Sequence, residues 1–342
     1  MEKSPEPSTL ENSGPSQGTQ RPPKRRGHCL RFWWLYLIIW LLVTLVLILL
    51  LTYVAYPSIA RKAIRTSHLN VTSQSSTNPT PEQLTLNLTA TLFTSSIFHP
   101  VLKPFNATVF LEGRDVAIYT VQTPRVNSAR KGTSEHIYQR VEISSVDEFT
   151  TLAKALAAND TVTFRLRGKG GLRLGKLPHI SVNYNAKAYL AGLGGLQFIT
   201  VPEFSLLSST DKQPDNANAV GRVSINNPSA LTLQLGDVLQ THYVDGIRIA
   251  NSTIPSMTLS PGNLTYPIRF TSDQAAVLKV LQSKAAYKCG QFPVEIKTTE
   301  VRFDNKRIPY FSESMAALTL HTRMDIKDAL NKAGLGAVVK GC

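Results

Sequence analysis

Two hydrophobic patterns divide this chain. From residue 32 to residue 55 every side chain is apolar or weakly polar; Arg31 is the last charge before the stretch and Arg61 the next after it. From residue 84 the period changes to two. Residues 84–92 (Leu-Thr-Leu-Asn-Leu-Thr-Ala-Thr-Leu) alternate almost without fault, which predicts a half-buried strand. Residues 107–111, 116–121 and 161–166 follow suit, as do 219–225, 231–235, 242–249, 257–259, 292–299 and 315–320. Two helices interrupt them. Ser145-x-x-Glu148 forms a capping box before a helix over about 146–158, with Phe149, Leu152, Ala153 and Leu156 on one face. Thr271-x-x-Gln274 opens a second helix running to about Lys288, with Val277, Leu278 and Leu281 on one face. A short last helix falls near 325–332, before Gly334.

The two blocks of strands read as a duplication. Pro124 and Pro255 each follow an apolar strand, and Pro178 and Pro309 each follow a basic hairpin-like stretch. Both pairs are 131 residues apart (255 − 124 and 309 − 178), and a fixed offset marks a repeated folding unit. The prediction is a mainly β protein: two tandem antiparallel immunoglobulin-like β-sandwich domains, 84–195 and 196–333, each with one helix. Residues 1–31, rich in Pro, Ser, Glu and Gln, read as a disordered cytosolic tail. Residues 56–83, rich in Ser, Thr and Asn, read as a stalk, and 334–342 as a C-terminal tail.

The apolar stretch reads as a single transmembrane helix. Its 24 residues (32 through 55) exceed the ~20 that cross a bilayer. Trp33, Trp34, Tyr36 and Trp40 crowd one end, Tyr53 and Tyr56 mark the other, and Pro57 predicts a stop. Five basic residues precede the span (Arg21, Lys24, Arg25, Arg26, Arg31) and three follow it closely (Arg61, Lys62, Arg65), which favours a cytosolic N-terminus. A cleaved signal peptide would have an apolar region of ~7–15 residues and a small-residue cleavage site. The expectation is therefore an uncleaved signal anchor of type II topology, with the C-terminal part outside the cytosol.

Charge adds one exclusion. Of the net +14, residues 1–31 contribute +3 (six basic, three acidic) and the remainder +11 (31 basic, 20 acidic). A basic domain beyond the membrane is not expected to meet nucleic acid; anionic lipid headgroups or acidic polysaccharide suit it better. A diffusely solvated basic surface is the simpler reading. Six N-x-Thr sequons lie after the anchor, at Asn70, Asn87, Asn106, Asn159, Asn251 and Asn263. Asn159, just past a helix, and Asn263, in a turn, are the best placed for a glycan; Asn87 falls inside a strand. Cys29 sits among basic residues at the cytosolic edge of the anchor, a setting for S-acylation. Cys289 and Cys342 lie on the oxidising side and form a candidate disulfide; a free buried Cys289 is the alternative.

No motif points to catalysis. Residues 170–176 match G-x-x-x-x-G-K, but Leu177 replaces the Mg²⁺-binding hydroxyl, and Pro178 and an alternating strand follow where a helix should start. The seven histidines (28, 68, 99, 136, 179, 242, 321) have no zinc-ligand spacing, and there is no H-E-x-x-H. No cofactor or metal is expected. An anchored hydrolase or transferase of the secretory pathway remains the alternative, without a constellation to carry it.

Two stretches carry a resemblance. The first is 221–238 (Gly-Arg-Val-Ser-Ile-Asn-Asn-Pro-Ser-Ala-Leu-Thr-Leu-Gln-Leu-Gly-Asp-Val), with Ile254-Pro255 and residues 259–262 (Leu-Ser-Pro-Gly). It resembles the strand–Asn-Pro–strand core of the late-embryogenesis-abundant type 2 (WHy) domain. The second, 162–170 continuing to 190–196, is similar to a fungal family of anchored proteins built from tandem copies of that domain. The first block departs from the pattern, with His99-Pro100 where the second has Asn227-Pro228. The resemblance implies a seven-stranded sandwich with one helix per domain, and a C-terminal part in the vacuolar lumen or outside the cell. It also implies a lipid bound between sheet and helix, near Phe149, Leu152 and Leu156 or near Val277, Leu278 and Leu281, although these residues equally suit an ordinary core. The expected function is a membrane-anchored, non-enzymatic binding or scaffold glycoprotein at the vacuolar or plasma membrane.

Overall fold

A computed structural model describes residues 33–65, 68–94, 100–129, 131–175, 177–197, 199–208, 211, 213 and 215–339. The chain divides into two compact units, Met1–Val54 and Ala55–Cys342. In the first, α1 spans Trp33–Leu50 and leads into a π-helical turn, Leu51–Ala55. The side chains of α1 make no core. Two hydroxyls bond back to the helix backbone: Thr44 Oγ1 donates to the Trp40 carbonyl and, in the π-helical turn, Thr52 Oγ1 to that of Ile48, each at 2.7 Å. Among the described residues this is the one helix long and apolar enough to cross a membrane, and it fits a membrane anchor.

The predicted stop at Pro57 is corrected. Helical geometry resumes in α2, Tyr56–Arg65. Proline clashes with the carbonyl four residues back in an ordinary helix; here the wider π-helical turn lies immediately before it and Pro57 falls in the first turn of α2. The stalk is corrected as well. Residues His68–Thr77 form strand β1. It pairs antiparallel with β2 (Gln83–Phe93), and parallel with two strands far along the chain.

The body is mainly β. After β2 come β3 (Val101–Leu102), β4 (Phe105–Leu111), β5 (Tyr119–Thr123), β6 (Val126–Asn127) and β7 (Thr133–Glu142). Helix α3 (Val146–Ala158) follows, then β8 (Thr161–Arg173) and β9 (Ile180–Ala191). The second half runs β10 (Ile199–Leu206), β11 (Ala219–Asn227), β12 (Leu231–Val244), β13 (Ile247–Leu259) and β14 (Gly262–Ser272). It continues through α4 (Gln274–Ser283), β15 (Gln291–Phe303), β16 (Lys306–Arg307), α5 (Pro309–Ala316), β17 (Thr319–Asp325) and α6 (Lys327–Lys332).

The pairings repeat. In the first half β1–β2–β7 form one ladder and β5–β4–β8–β9 the other. In the second, β10–β11–β14 and β13–β12–β15–β17 reproduce both. Alternation drives each ladder's burial: Leu84, Leu86, Leu88, Ala90 and Leu92 of β2 turn inward, as do Val162, Phe164 and Leu166 of β8. The halves differ at their prolines. Pro124 separates β5 from β6, whereas β13 runs through Pro255 and absorbs it with Ser256 at φ 49°. Pro178 sits in the hairpin turn between β8 and β9, but Pro309 starts α5, an element without a counterpart in the first half. The first half carries the one expected helix, the second half carries α5 beyond those expected, and the expected strand at 315–320 is the end of α5 followed by β17.

The helix caps form locally. Ser145 Oγ accepts from Glu148 N at 3.3 Å, as the capping box requires. For α4 the cap is Asp273, whose Oδ1 accepts from Ala276 N at 3.0 Å; the helix ends at Ser283, before a 3₁₀ turn at Ala285–Tyr287.

One seam joins the halves. Gln74–Ser76 of β1 lie parallel to Leu231–Leu233 of β12, while Leu69 and Asn70 of the same strand lie beside Ala188 and Tyr189 of β9. Asn78 N donates to Gln234 Oε1 at 2.8 Å. Helix α5 packs on α3, where the Tyr310 ring meets Phe149 edge-on at 4.7 Å. Tyr310 is fully buried and its hydroxyl donates to the Thr80 carbonyl at 2.9 Å. Burial pushes the phenol up, so it stays a donor.

Candidate functional site

Each half places a helix beside its sheets, but the two spaces beneath these helices differ. Under α3 the inward face carries Phe149 and Leu152, both buried, with the half-buried Leu156. Phe311 and Met315 of α5 fill the space beside them, leaving a void of about 40 Å³. Two bulky side chains from the second half have turned this region into core.

Under α4 the space stays open, with Leu330 of α6 at one side. Val277, Leu278 and Leu281 face Phe204 and Leu206 of β10, Phe270 of β14 and Phe292 of β15, around a cavity of about 200 Å³. An apolar cavity of ~150 Å³ suffices to hold benzene. The C-terminal segment closes one side with Leu330, Leu335 and Val338. Leu278, Leu335 and Val338 stay 41%, 46% and 37% exposed, so the mouth is apolar and reaches solvent. Of the two trios that the sequence offers, the structure gives a cavity of ligand size to Val277, Leu278 and Leu281 only.

One lining residue was not singled out in the sequence. His242 is 1% exposed and stands in the wall beside Phe270, ring centroids 5.3 Å apart. Its Nε2 lies 2.7 Å from Ser252 Oγ, and that hydroxyl donates to Gln240 Oε1 at 3.5 Å. Its Nδ1 has no hydrogen-bond partner among the described residues. Burial lowers its pKa to about 4, so the ring is neutral at neutral pH. The signal was present: Gln240 and His242 occupy successive inward positions of a strand whose earlier inward residues are apolar.

Several basic residues are held in ion pairs. Arg165 grips Glu112 through two bonds of 2.8 and 2.9 Å, with Lys187 at 3.3 Å, and the Arg165 guanidinium leads in holding the Glu112 carboxyl down at about 2. Arg167 pairs with Asp115 at 2.7 Å and Arg114 with Glu148 at 2.8 Å. Lys103, Arg173 and His179 gather at the β8–β9 hairpin; His179 is lowered by burial and then by those two cations. Beside them Leu174 N donates to the buried Tyr56 hydroxyl at 3.0 Å. The P-loop-like residues Gly171 and Leu172 sit in this hairpin, paired with Ser181 and Ile180, and Gly175 takes φ 55° in its turn.

Residues 116–239 match the family described as "Protein of unknown function (DUF3712)". The segment runs from just before β5 into β12, across the seam, and covers well under half of the chain. No curated protein matches. Among solved structures the chain is similar to the periplasmic chaperone SfaE, at 11% identity and TM-score 0.16, covering 75% of this chain and 97% of that one. It is likewise similar to the CupB6 tip adhesin from Pseudomonas aeruginosa, at 10% and 0.15, covering 75% and 94%. CfaE, the adhesive subunit of CFA/I fimbria of enterotoxigenic Escherichia coli, follows at 9% and 0.14, covering 77% and 88%. Superpositions this loose carry no argument about function, and none of these findings bears on the WHy resemblance or a fungal source.

The remaining expected sites fall as follows. Asn70, Asn106, Asn159, Asn251 and Asn263 are exposed, whereas Asn87 is half-buried with Oδ1 2.6 Å from His136 Nε2. Asn159 also ends α3, its Nδ2 donating to the Ala155 carbonyl at 2.8 Å. Cys289 is disulfide-bonded. Cys342 and Cys29 lie outside the described residues. Among the described residues no group of three or more His, Cys, Asp or Glu side chains gathers as a metal site would require.

Proposed function

We propose that this protein is a single-pass membrane-anchored binding protein whose β-rich body takes up an apolar ligand, a lipid chain, beneath α4. The observation that carries the reading is the contrast between the halves: about 200 Å³ open under α4 against about 40 Å³ filled under α3. A repeat that has lost its cavity to packing lies beside one that keeps it, with an exposed apolar mouth. The role is non-enzymatic. The body lies on the lumenal or extracellular side, at a vacuolar or plasma membrane, with the exposed sequons glycosylated. The resemblance to tandem WHy domains of fungal anchored proteins supports this assignment.

The test is mass spectrometry of solvent extracts from the purified full-length chain, beside Val277→Trp, which fills the cavity from its half-buried rim. A near-stoichiometric lipid in the wild type and its loss in the variant is the expected result. A clean wild-type extract, or equal lipid in both, overturns the reading. Endoglycosidase digestion with protease protection on intact membranes tests the side: a glycan-dependent mass shift on a protected C-terminal fragment is expected, and an unshifted, digested body rejects it.

A further inference from the structure

Unpaired positive charge collects at the turn end of the β8–β9 hairpin. Residues 161–202 carry six Lys or Arg and no Asp or Glu. Alternate residues of a strand share a face, so Arg165, Arg167, Lys169, Gly171 and Arg173 of β8 form one column. Its first two members pair with Glu112 and Asp115. Towards the turn, Lys169 and Arg173 are exposed and have no acidic partner among the described residues. Lys103 joins them. Its backbone N donates to the Gly171 carbonyl at 2.8 Å, and its Cδ lies 3.3 Å from where a Cβ at 171 would stand. In the turn itself Leu177 is 38% exposed. The same turn is tied to the anchor's exit. Tyr56 directly follows the apolar stretch, its hydroxyl accepts from Leu174 N at 3.0 Å, and α2 packs on β9. One tyrosine side chain and one hydrogen bond thus link the turn to the residue that follows the span.

We propose that this turn is a membrane-contact site: Lys103, Lys169 and Arg173 engage lipid phosphates of the leaflet from which the anchor emerges, and Leu177 enters its headgroup layer. The proposal rests on the anchor. It is independent of the ligand beneath α4 and of the side on which the body lies. Attraction between a cation and an anionic surface fades within a Debye length, and the anchor keeps these groups inside that range. Tethering makes the contact intramolecular, so individually weak attractions suffice to seat the turn. An acidic polysaccharide would meet the same cations, but it leaves the exposed Leu177 among them without a role, whereas a bilayer interface takes up both.

The experiment follows acetylation of Lys103 and Lys169 in the full-length chain by a neutral succinimidyl ester, resolved by mass spectrometry, with exposed Lys306 as reference. Nanodiscs of phosphatidylcholine and phosphatidylglycerol are compared with maltoside micelles. In discs the two lysines are expected to react about 10-fold more slowly relative to Lys306 than in micelles, and salt at about 1 M should restore most of the rate. Equal ratios in discs and micelles, or slowing that salt does not relieve, overturn the proposal. Leu177→Asp, at an exposed turn position, should return the disc ratio to that in micelles; an unchanged ratio also overturns it. Slowing by heparin in micelles, with none in discs, rejects the bilayer and assigns the cations to an acidic polysaccharide. If the chain does not enter discs at all, the anchor reading fails and the proposal with it.

Discussion

Tyr310 is where the seam between the repeats should be weakest to a single substitution. Its ring is fully buried, meets Phe149 of α3 at 4.7 Å and Phe311 at 4.7 Å, and its hydroxyl reaches Thr80 in the β1–β2 turn. Tyr310→Phe keeps the packing and removes the donor, at a cost of about 1 kcal/mol. Tyr310→Ala also empties the ring's volume, at a cost of ~3–5 kcal/mol. At roughly 2 °C per kcal/mol for a body of this size, the melting temperature should fall by about 2 °C and ~6–10 °C respectively. The assay is thermal unfolding of the full-length chain in detergent, followed by circular dichroism. A control lies one turn further along: Lys154→Ala breaks an ion pair with Glu313 whose partners are 42% and 49% exposed, and should change little. A double-mutant cycle with Phe149→Leu should return a coupling of ~0.5–1.5 kcal/mol. If Tyr310→Ala melts within a degree of wild type, or Lys154→Ala costs as much as Tyr310→Phe, the account of the seam is wrong.

Four further outcomes follow from single sites. The folded His242 pKa of about 4 lies below the unfolded value near 6.5, so its contribution is full above pH 6.5 and is lost as pH falls towards 4. The loss is about 3 kcal/mol over that window, and a melting curve of His242→Phe as steep against pH as wild type would contradict it. Glu112, depressed by Arg165, adds loss in the same direction between about 4.5 and 2. Gly236 sits at φ 82° in a bulge of β12 where a Cβ would overlap the Arg302 carbonyl oxygen; Gly236→Ala should cost at least ~2 kcal/mol in denaturant titration, and a neutral result would refute the constraint. Buried Asn227 donates to the Leu231 carbonyl at 2.8 Å and accepts from Ser229 N and Oγ at 3.0 and 2.7 Å. Asn227→Ala should cost roughly 2–3 kcal/mol by the same titration, since buried partners are left unmet.

What could be read in advance depended on whether a segment's partners were local. Alternation in β2, the Ser145 cap and the apolar span are written in neighbouring residues, and they were legible. β1 was not. Apart from Leu69 and Val71 it is His, Asn, Ser, Thr and Gln, which reads as linker; it becomes a strand because β2, β9 and β12 offer it hydrogen bonds. Likewise α5 follows Pro309 without helical periodicity long enough to detect, and is held by contacts with α3 and β15. The cavity trio on α4 showed as an apolar face, but emptiness beneath it depends on what the rest of the chain fails to fill.

The reach of β1 has a consequence for how the chain is made. Its C-terminal half needs Leu231–Leu233, and Asn78 needs Gln234, 156 residues further along. At a synthesis rate of ~5–20 residues per second, that partner emerges roughly 8–31 s after its mate. During this interval the first repeat stands with an unpaired parallel edge and with Phe149 uncovered by α5. The nascent protein must wait, anchored at one end, for its own second half to arrive as chaperone to the first.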